Sequence, residues 1–478
     1  MFNGTNFAAI CCLTLSLSLK EQVAFSGSHS YNTSLASYFS VQEANVKPVC
    51  VVSPQTAQDV STFMRVVTNP TTRCQFAIRS GGHSSFAEAA NIQNGVTIDL
   101  RGLDSIELNE GSSLVSLGVG ASWGSVYAQL DQYNLSVTGA RAFSVGVGGL
   151  SIGGGISYFG PRYGWVCDMV VNYVVVLASG PIINANQQEN PDMLWALRGG
   201  TNNFGIVVRV DLRTFQQGDI WGGVVFHPLS TASQQIEALS KFNTAGTYDD
   251  YSSLISSFGY LGADQASFII NNMENTRGLV DPPAFQDFTS IPSMQSTMRI
   301  TNMTDLSIET ETQQVSGLRE TSATLTIHSE LEALHTVVNA WNASVPSVHR
   351  IPGLVWAIVL EPLPPSIYGR YAASNALGLI DRSEKALIVV MLSVTWDNAD
   401  DDDAIENAAK DLIGTIQQRL GNMGMLDSFI YLNYAAAWQR PISSYGKANV
   451  EKLLRIQKEY DPHRTFTDYV PGGFKLQD

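Results

Sequence analysis

The chain has 478 residues, of which 44% are hydrophobic and 15% charged, a composition typical of a globular protein too long for one hydrophobic core. Its formal net charge is −15 at pH 7, and no block rich in lysine or arginine offsets this acidity, so we expect no nucleic-acid partner. Beyond the N-terminal segment no apolar stretch is long and uncharged enough to cross a bilayer, so we expect no membrane span.

Residues 1–42 form an N-terminal segment that we interpret as a possible signal peptide or its remnant. The run "FAAICCLTLSLSL" resembles the apolar part of a signal peptide, although no positive residue precedes it and no clear cleavage site follows. Five N-x-S/T triplets fit a glycosylated chain; they begin at Asn3, Asn32, Asn134, Asn302 and Asn342. We therefore expect a location in the secretory pathway or outside the cell.

Cysteine is sparse, and four of the five cysteines lie within the first 74 residues: Cys11, Cys12, Cys50 and Cys74, with Cys167 further along. The first four could form two disulfides in any of three connectivities, or remain reduced and buried.

Residues 43–213 are predicted to form an α+β domain rich in glycine. Runs of β-branched residues indicate strands at "KPVCVVSP", "FAIRS", "GVTIDL", "SLVSLGVGA", "MVVNYVVVLAS" and "FGIVVRVDL". Between the first two, "TAQDVSTFMRVVTN" has helical spacing, with Val60, Phe63, Val66 and Val67 on one face.

Residues 214–428 mix strand-like runs such as "WGGVVFH", "SSFGY", "ASFIINN" and "ALIVVMLSVTW" with amphipathic helices such as "IENAAKDLIGTIQQRL". This composition predicts a sheet covered by helices. The acidic run from Asp400 to Asp403 is predicted to begin a helix, with a calcium site as the alternative. Residues 429–478 are predicted to form a strand across "SFIYLNYAAAWQ", a loop and a closing helix.

The turn "RSGGHS" places His83 directly after a predicted strand, with two glycines before it. Such a histidine could be a hydrogen-bonded turn residue, a metal ligand, or a residue that lies against a large anionic group. The other histidines show no i, i+4 pairing and no nearby cysteine pair, so we expect no metal site. A serine-hydrolase interpretation lacks the Gly-x-Ser-x-Gly turn.

A second glycine cluster, "SVGVGGLSIGGGISYFGPRYG", spans residues 144–164 and has seven glycines before Pro161. Glycine at this density lets the main chain approach a ligand and point its N–H groups at anionic oxygens. Strands and turns surround the cluster, which disfavours a Rossmann unit. Glycine-rich turns of an all-β sandwich are the structural alternative.

Together, "RSGGHS", "NGVTIDL", "GVGGLSIGGGISYFGPRYGWVCDMV" and "ALRGGTNNFGIV" resemble the FAD-linked oxidases of the vanillyl-alcohol oxidase superfamily. The closest resemblance is to the berberine-bridge-enzyme-like group, especially its fungal members of secondary metabolism. It implies an α+β fold with a two-part FAD-binding domain of the PCMH type at residues 43–213. It also implies a substrate-binding domain at residues 214–428, with an antiparallel sheet covered by helices, and a C-terminal berberine-bridge-like segment at residues 429–478 that returns to the FAD domain.

The resemblance implies that FAD is bound covalently through His83. Many relatives carry a second link through a cysteine, whose place here is Ala142, so we expect the bond to His83 only. Glu88 stands where relatives usually have glycine. The implied cofactor-binding residues are His83, Arg79, Ser80, Gly81, Gly82, Ser84, Val145, Gly146, Gly148, Gly149, Gly153, Gly154, Gly155, Gly205 and Ile206.

Acid–base work beside the flavin would fall to a few candidates. Relatives often supply a tyrosine from a Y-x-N-Y segment, here Tyr431, Asn433 and Tyr434, with Tyr434 as the first choice. Glu361, a carboxylate inside the apolar run "VWAIVLEPLPP", is the second. For Tyr431 and Tyr434 the alternative is an aromatic strand packed under the flavin, and for Glu361 a strand end in water.

The leading functional hypothesis is an FAD-dependent oxidase that passes a hydride from a small secondary metabolite to the flavin and then to dioxygen. Its partners would be that substrate and dioxygen, and we expect a monomer. A redox-neutral isomerase or cyclase on the same scaffold, a secreted carbohydrate oxidase, and a binding protein without flavin are the alternatives.

Overall fold

The computed structural model describes residues 4–314, 316–382 and 385–476. Its strands are β1 (Val23–Phe25), β2 (Cys50–Val52), β3 (Phe76–Arg79), β4 (Val96–Asp99), β5 (Ile106–Leu108), β6 (Leu114–Gly118), β7 (Leu135–Ser136), β8 (Val170–Val176), β9 (Ile182–Asn186), β10 (Ile206–Arg213), β11 (Phe215–Gln216), β12 (Ile220–Pro228), β13 (Ser252–Leu261), β14 (Ala266–Asn275), β15 (Gln295–Ser296), β16 (Arg299–Thr301), β17 (Arg319–His328), β18 (Val355–Leu363), β19 (Leu387–Trp396) and β20 (Leu426–Asp427).

The helices are α1 (Gly4–Leu19), α2 (His29–Ala36), α3 (Val41–Asn45), α4 (Ala57–Val67), α5 (Trp123–Leu130), α6 (Val147–Ile152), α7 (Gly160–Tyr163), α8 (Val166–Met169), α9 (Pro191–Leu197), α10 (Ala232–Phe242), α11 (Gln286–Thr289), α12 (Met303–Glu311), α13 (Leu331–Val348), α14 (Pro365–Tyr368), α15 (Asp402–Asn422), α16 (Lys447–Tyr460) and α17 (Thr465–Asp468).

The first domain contains two larger sheets, and the short strand β7 pairs with β11 at its boundary with the second domain. In one, β2 and β3 flank β4 in parallel and β1 pairs antiparallel with β2. In the other, the order is β5-β6-β10-β8-β9, and all pairs are antiparallel. All six strand runs predicted for this domain are confirmed, and the parallel pairing of β3 and β4 brings the start of the His83 turn into the domain interior.

Helix α4 illustrates how local sequence sets an element. Thr56 caps its N-terminus and forms a reciprocal capping box with Asp59. The predicted buried face is confirmed for Val60, Phe63 and Val67, whereas Val66 is only partly buried. Met64 is fully buried on this helix as well.

The apolar N-terminal run forms α1, which packs into the core of the first domain. Cys11 pairs with Cys74 and Cys12 pairs with Cys50, which selects one of the three possible connectivities. Leu15, on the same face of α1, is fully buried. Among the described residues, no helix is long and apolar enough to cross a membrane.

The second domain is built on one antiparallel sheet of nine strands, with the order β15-β12-β14-β13-β18-β19-β17-β20 and β16 beside β12. One face is apolar and forms a second core with α10, α13 and α15, in which Trp341, Phe258 and Ile416 are fully buried. The other face carries Glu274, Thr324 and Glu361. The antiparallel sheet covered by helices is thus confirmed, and α15 begins at Asp402 within the acidic run.

The C-terminal segment returns to the first domain, but the strand predicted across "SFIYLNYAAAWQ" is wrong. This stretch is irregular, with one turn of 3₁₀ helix at Leu432–Tyr434, and the last short strand, β20, ends before it. Side chains replace the main-chain pairing: Gln439 accepts from Thr324 N (2.9 Å) and donates to Thr324 O (2.6 Å). The closing helix is confirmed as α16.

Candidate functional site

The loops that follow β3 and precede α6 touch main chain to main chain. A Cβ atom on Gly81 would lie 2.6 Å from Gly146 N, and one on Gly146 would lie 2.5 Å from Gly81 N. Gly82 has φ +70°, a backbone conformation that favours glycine. Gly81 and Gly146 are required because the two loops touch, and Gly82 is required by its positive φ.

Ser80 ties the same loops together. Its hydroxyl donates to Val119 O (2.6 Å) and accepts from Gly148 N (3.2 Å). Val145 O accepts from Trp123 N (2.9 Å), which anchors the second loop to α5. No atom lies within 4 Å of a Cβ built on Gly149, so the main chain at Gly149 borders open space where a ligand could approach.

Gly153, Gly154 and Gly155 have a packing reason of their own. A Cβ on Gly153 would overlap the side-chain amide of Asn433, and one on Gly155 would lie 2.6 Å from Val166 Cβ. Gly154 has φ +108°. These glycines therefore admit the C-terminal segment and α8.

The strand β10 begins at Ile206, directly after Gly205. A Cβ on Gly205 would lie 2.5 Å from the side chain of Val175 on the neighbouring strand β8. Ile206 is almost fully buried.

His83 lies in an apolar setting with one ring nitrogen unsatisfied. Its ring stacks on Phe39 with the centroids 3.9 Å apart, and its Nε2 is buried without a hydrogen-bond partner among the described residues. Burial lowers the pKa of His83, and the carboxylate of Glu311 opposes this shift. The imidazole is thus held neutral with a free nitrogen, which fits the expected bond to a flavin.

Arg79 is predicted to bind cofactor, and its side chain points instead into the first domain. The guanidinium donates to Ser34 O (2.5 Å) and Ser37 O (2.8 Å) and lies over the ring of Tyr38. Any contact of Arg79 with FAD would therefore come from its main chain. Ser84, the last residue of the motif, accepts from Phe86 N (3.4 Å) and shapes the turn after His83.

The two strongest catalytic candidates, Glu361 and Tyr434, lie in direct contact. Glu361 sits on β18, and Tyr434 Oη donates to its Oε1 at 3.0 Å. Arg141 binds both carboxylate oxygens, at 2.8 and 2.9 Å, and also contacts Tyr434 Oη. Three residues from three parts of the chain thus form one hydrogen-bonded cluster between the glycine loops and the sheet.

The protonation of Tyr434 follows from its surroundings. Burial raises the pKa of Tyr434 well above its ordinary value, and the charge of Glu361 adds to this, while Arg141 lowers it. The phenol therefore keeps its proton at neutral pH and donates it to Glu361. A cation against the same oxygen is the arrangement that would stabilise a phenolate if this proton left.

Tyr431 and Asn433 have a supporting role in this structure. Tyr431 Oη accepts from Ile156 N (3.0 Å) and from Asn433 Nδ2 (3.1 Å), and its ring stacks on Trp165. Tyr431 meets Tyr434 edge to face, with the centroids 4.8 Å apart. The pair positions Tyr434 and fixes the glycine stretch near Gly153.

Sequence reasoning missed Arg141, Phe39 and Glu311. Arg141 adjoins Ala142, the place noted for its missing cysteine, and an arginine beside a glycine-rich loop was the available signal. Glu311 closes α12 and accepts from Ser144 N (3.1 Å) and Ser144 Oγ (2.6 Å). No local pattern links these residues to His83, since α12 belongs to the other domain.

A second buried carboxyl group, Glu274, adjoins the cluster. Burial raises its pKa well above the ordinary value, and the cation of Arg141 opposes this. The hydroxyls of Tyr158 and Thr310 lie 3.1 Å apart and form a hydrogen bond. Burial raises the pKa of Tyr158 well above its ordinary value, and the nearby Glu274 raises it further. The raised pKa favours the neutral form of Glu274, while Arg141 makes its two hydrogen bonds to the carboxylate of Glu361. Among the described residues, no group of three or more His, Cys, Asp or Glu could hold a metal ion.

Comparison with known proteins matches this geometry to a family. A model for an FAD binding domain matches residues 48–186. An FAD-dependent monooxygenase from Cercospora beticola is 34% identical over 483 residues, covering 98% of this chain and 91% of that protein. Another from Emericella nidulans is 35% identical over 474 residues, covering 98% of each.

An oligopeptidase from Diaporthe leptostromiformis is 38% identical over 473 residues, but the match covers 97% of this chain and only 37% of that protein. The chain therefore spans a little over a third of the length of this relative.

Solved structures share the fold at low identity. BBE-like 1 from Physcomitrella patens superposes with a TM-score of 0.80 at 16% identity, covering 98% of this chain and 99% of that one. Berberine bridge enzyme in complex with (S)-reticuline gives 0.78 at 17% identity, covering 98% of both chains. The chain therefore shares the fold of berberine bridge enzyme, belongs to the family of the FAD-dependent monooxygenases from Cercospora beticola and Emericella nidulans, and is an FAD-dependent enzyme.

Proposed function

We propose that the protein is an FAD-dependent oxidase of a small secondary metabolite, which it dehydrogenates or closes oxidatively into a ring. The contact of Tyr434 with both Glu361 and Arg141 carries this proposal. A bound flavin would accept a hydride and pass the electrons to dioxygen, which leaves hydrogen peroxide. The protein must then take the proton that the substrate loses.

Tyr434 and Glu361 form a suitable proton acceptor. As Tyr434 Oη receives a proton from a substrate hydroxyl or amine, its own proton can pass along the 3.0 Å hydrogen bond to Glu361 Oε1. Arg141 limits the negative charge on the phenol oxygen during the transfer, because it contacts that oxygen directly. The phenol oxygen of Tyr434 therefore never needs to hold a full negative charge alone.

We further propose that His83 is the single covalent attachment point of FAD. The unpartnered Nε2 and the neutral imidazole support it. At the position where relatives carry the second attachment site, this chain has Ala142, whose buried methyl group offers no nucleophile. The loops around Gly81, Gly146 and Gly149 would hold the pyrophosphate.

The two disulfides support a proposed location in the secretory pathway or outside the cell, since disulfides persist in oxidising compartments. We propose that the protein acts there as a glycosylated monomer on its substrate and dioxygen. The five N-x-S/T triplets support the glycosylation.

Monooxygenation is a second candidate, because relatives from Cercospora beticola and Emericella nidulans carry the name FAD-dependent monooxygenase. The two reactions differ in what happens to dioxygen. An oxidase product loses two hydrogens and one hydrogen peroxide forms, whereas a monooxygenase product gains one oxygen atom while a two-electron reductant such as NADPH turns the other into water.

The test begins with the purified protein. Acid precipitation should leave yellow colour in the pellet of the wild type and release it to the supernatant from the variant His83→Ala. Incubation with a panel of benzylic and allylic alcohols and phenols, with product mass and peroxide measured together, then separates the reactions. Isomerised product without peroxide or oxygen uptake would favour the redox-neutral alternative, and a colourless protein would contradict the proposal.

A further inference from the structure

A row of small side chains crosses the polar face of the nine-stranded sheet. Gly259 lies opposite Ala357, Ala357 opposite Ser393, and Ser393 opposite Ser322. These positions lie on the adjacent strands β13, β18, β19 and β17, and neighbouring strands are about 4.8 Å apart. The four residues, here called the transverse row, therefore form a shallow groove about 14 Å long.

Bulkier side chains flank the transverse row. Met391 and Val359 form the next row on one side, and Val355 and Thr395 the next row on the other. The four residues named here are uncharged, and Glu320 continues the second row beyond Thr395. Ala357, Ser393 and Ser322 are only partly buried, so this part of the floor can be reached, whereas Gly259 is buried beside the ring of Phe268. Such a floor suits a flat, uncharged molecule better than a charged one.

The transverse row begins at the His83 loop, and the proton-accepting cluster lies two rows away on the side of Val359. Ser85, two residues after His83, has its hydroxyl 2.9 Å from that of Ser322 at one end of the row. Glu361 lies on β18 four residues from Ala357, which is about 13 Å along a strand. A molecule that covers the row and continues over Val359 could thus reach both the His83 loop and the Tyr434 cluster.

Two unsatisfied polar groups lie beside the row. Glu320 and Thr395 face each other across β17 and β19, on the same face of the sheet as Ser322 and Ser393. Glu320 is only 7% exposed, and its Oε1 has no hydrogen-bond partner among the described residues. Thr395 Oγ1 is likewise without a partner there.

The carboxyl group of Glu320 is a hydrogen-bond donor at neutral pH. Burial raises the pKa of Glu320 to about 9, so the group is protonated. Buried polar atoms without partners are uncommon in folded proteins, and two facing each other beside a groove point to a ligand that completes them.

We propose that Glu320 and Thr395 form a subsite that donates hydrogen bonds to an oxygen of the substrate, while the flat, uncharged body of that substrate lies on the transverse row. The substrate class is a ring compound bearing a carbonyl oxygen remote from the carbon that is oxidised. This assignment rests on the proposed function, because it takes this face as the substrate side of the site.

The test measures binding to the intact flavoprotein without turnover. The ring ketone 1-tetralone and tetralin, which lacks the oxygen, are titrated against the flavin absorbance spectrum. The wild type should bind 1-tetralone about tenfold more tightly, as one hydrogen bond to a buried donor predicts. Glu320→Leu should bring the two dissociation constants within about twofold, and Glu320→Gln, which keeps a donor, should restore most of the preference.

The matched control is Thr321→Val, because Thr321 is the next residue on β17 and faces the other side of the sheet. Ala357→Leu should weaken both probes about tenfold by filling the row, with the flavin content unchanged. A ketone preference that survives Glu320→Leu, or its absence from the wild type, would overturn the proposal. Peroxide formation is assayed separately, so a failure of the oxidase function would be seen while the binding preference persisted.

Discussion

Arg141 and Glu361 form a bidentate ion pair, in which Nη1 donates to Oε2 (2.8 Å) and Nη2 to Oε1 (2.9 Å). The two residues lie 220 positions apart in the sequence, and each comes from a different domain. Arg141 is 13% exposed and Glu361 only 3%. Burial of both charges means that removing one leaves the other without compensation. The pair therefore joins the two domains at the point where the chemistry is proposed.

Arg141→Met should destabilise the protein strongly. It leaves the carboxylate of Glu361 buried beside Tyr434 without its cation, and the expected loss in the free energy of unfolding is about 3–5 kcal/mol. Urea unfolding of the purified variant measures it. The double variant with Glu361→Leu should recover most of the loss, and an equal loss in both variants would show that the charge is not the cause.

Tyr434→Phe should slow flavin reduction by about 10²–10⁴ with any substrate that reduces the wild type, because the proton acceptor is lost while the ring remains. Stopped-flow absorbance of the flavin measures this rate. Tyr431→Phe is the control, since the hydroxyl of Tyr431 serves Ile156 N and Asn433 rather than Glu361. Equal slowing in the two variants would contradict the assignment.

Glu43 should give the stability of the protein a pH dependence in the acid to neutral range. Its carboxylate accepts from Glu88 N (2.9 Å) and Ala90 N (2.5 Å), and burial raises its pKa from 4.5 to about 7. The folded state thus binds the proton more tightly than the unfolded state, so the contribution is complete below about pH 4.5 and is lost as the pH rises through about 7.

Glu43→Gln removes this titration. Between pH 5 and pH 8 the wild type should lose about 2.5 kcal/mol more than the variant in the free energy of unfolding. Urea unfolding at the two pH values measures the difference. Parallel profiles for the two proteins would show that the pKa of Glu43 is not raised in solution.

How much the sequence could predict depends on whether the signal was local. The strands around His83 and the amphipathic helix α4 have regular patterns over several residues, and these predictions are confirmed. Glu361 and Tyr434 were found separately, one as a carboxylate in an apolar run and the other by resemblance. Their contact could not be predicted, because it depends on how β18 and the C-terminal segment meet.

The errors have the same physical origin. The stretch around Tyr431 has the aromatic and aliphatic composition of a strand. The side chains of Gln439 and Tyr431 instead form hydrogen bonds with main-chain groups nearby, so this stretch does not pair as a strand. Arg141 lies beside a glycine-rich loop, but its role depends on its contact with Glu361. The local sequence says little about a residue whose function depends on contacts with the other domain.

Glu88→Gly should stabilise the loop that follows His83. Glu88 has φ +64°, which strains a residue with a side chain by at least about 1 kcal/mol. Glycine relieves the strain but gains freedom in the unfolded chain, so a net increase of about 0.5 kcal/mol is expected. Thermal unfolding measures it, and Glu88→Ala, which keeps the strain, should show no gain.

Reduction of the disulfides should release α1 from the first domain. The bonds close separations of 63 and 38 residues, and each is expected to contribute about 4 kcal/mol by limiting the unfolded chain. Paired replacement of Cys12 and Cys50 by alanine should lower the free energy of unfolding by this amount, and replacement of Cys11 and Cys74 as well should expose α1 to proteolysis. Cys167→Ala is the control, because Cys167 is a buried free thiol whose loss breaks no bridge. If a reducing agent left the urea midpoint of the wild type unchanged, α1 would be held by its apolar packing around Leu15 and the bridges would be dispensable.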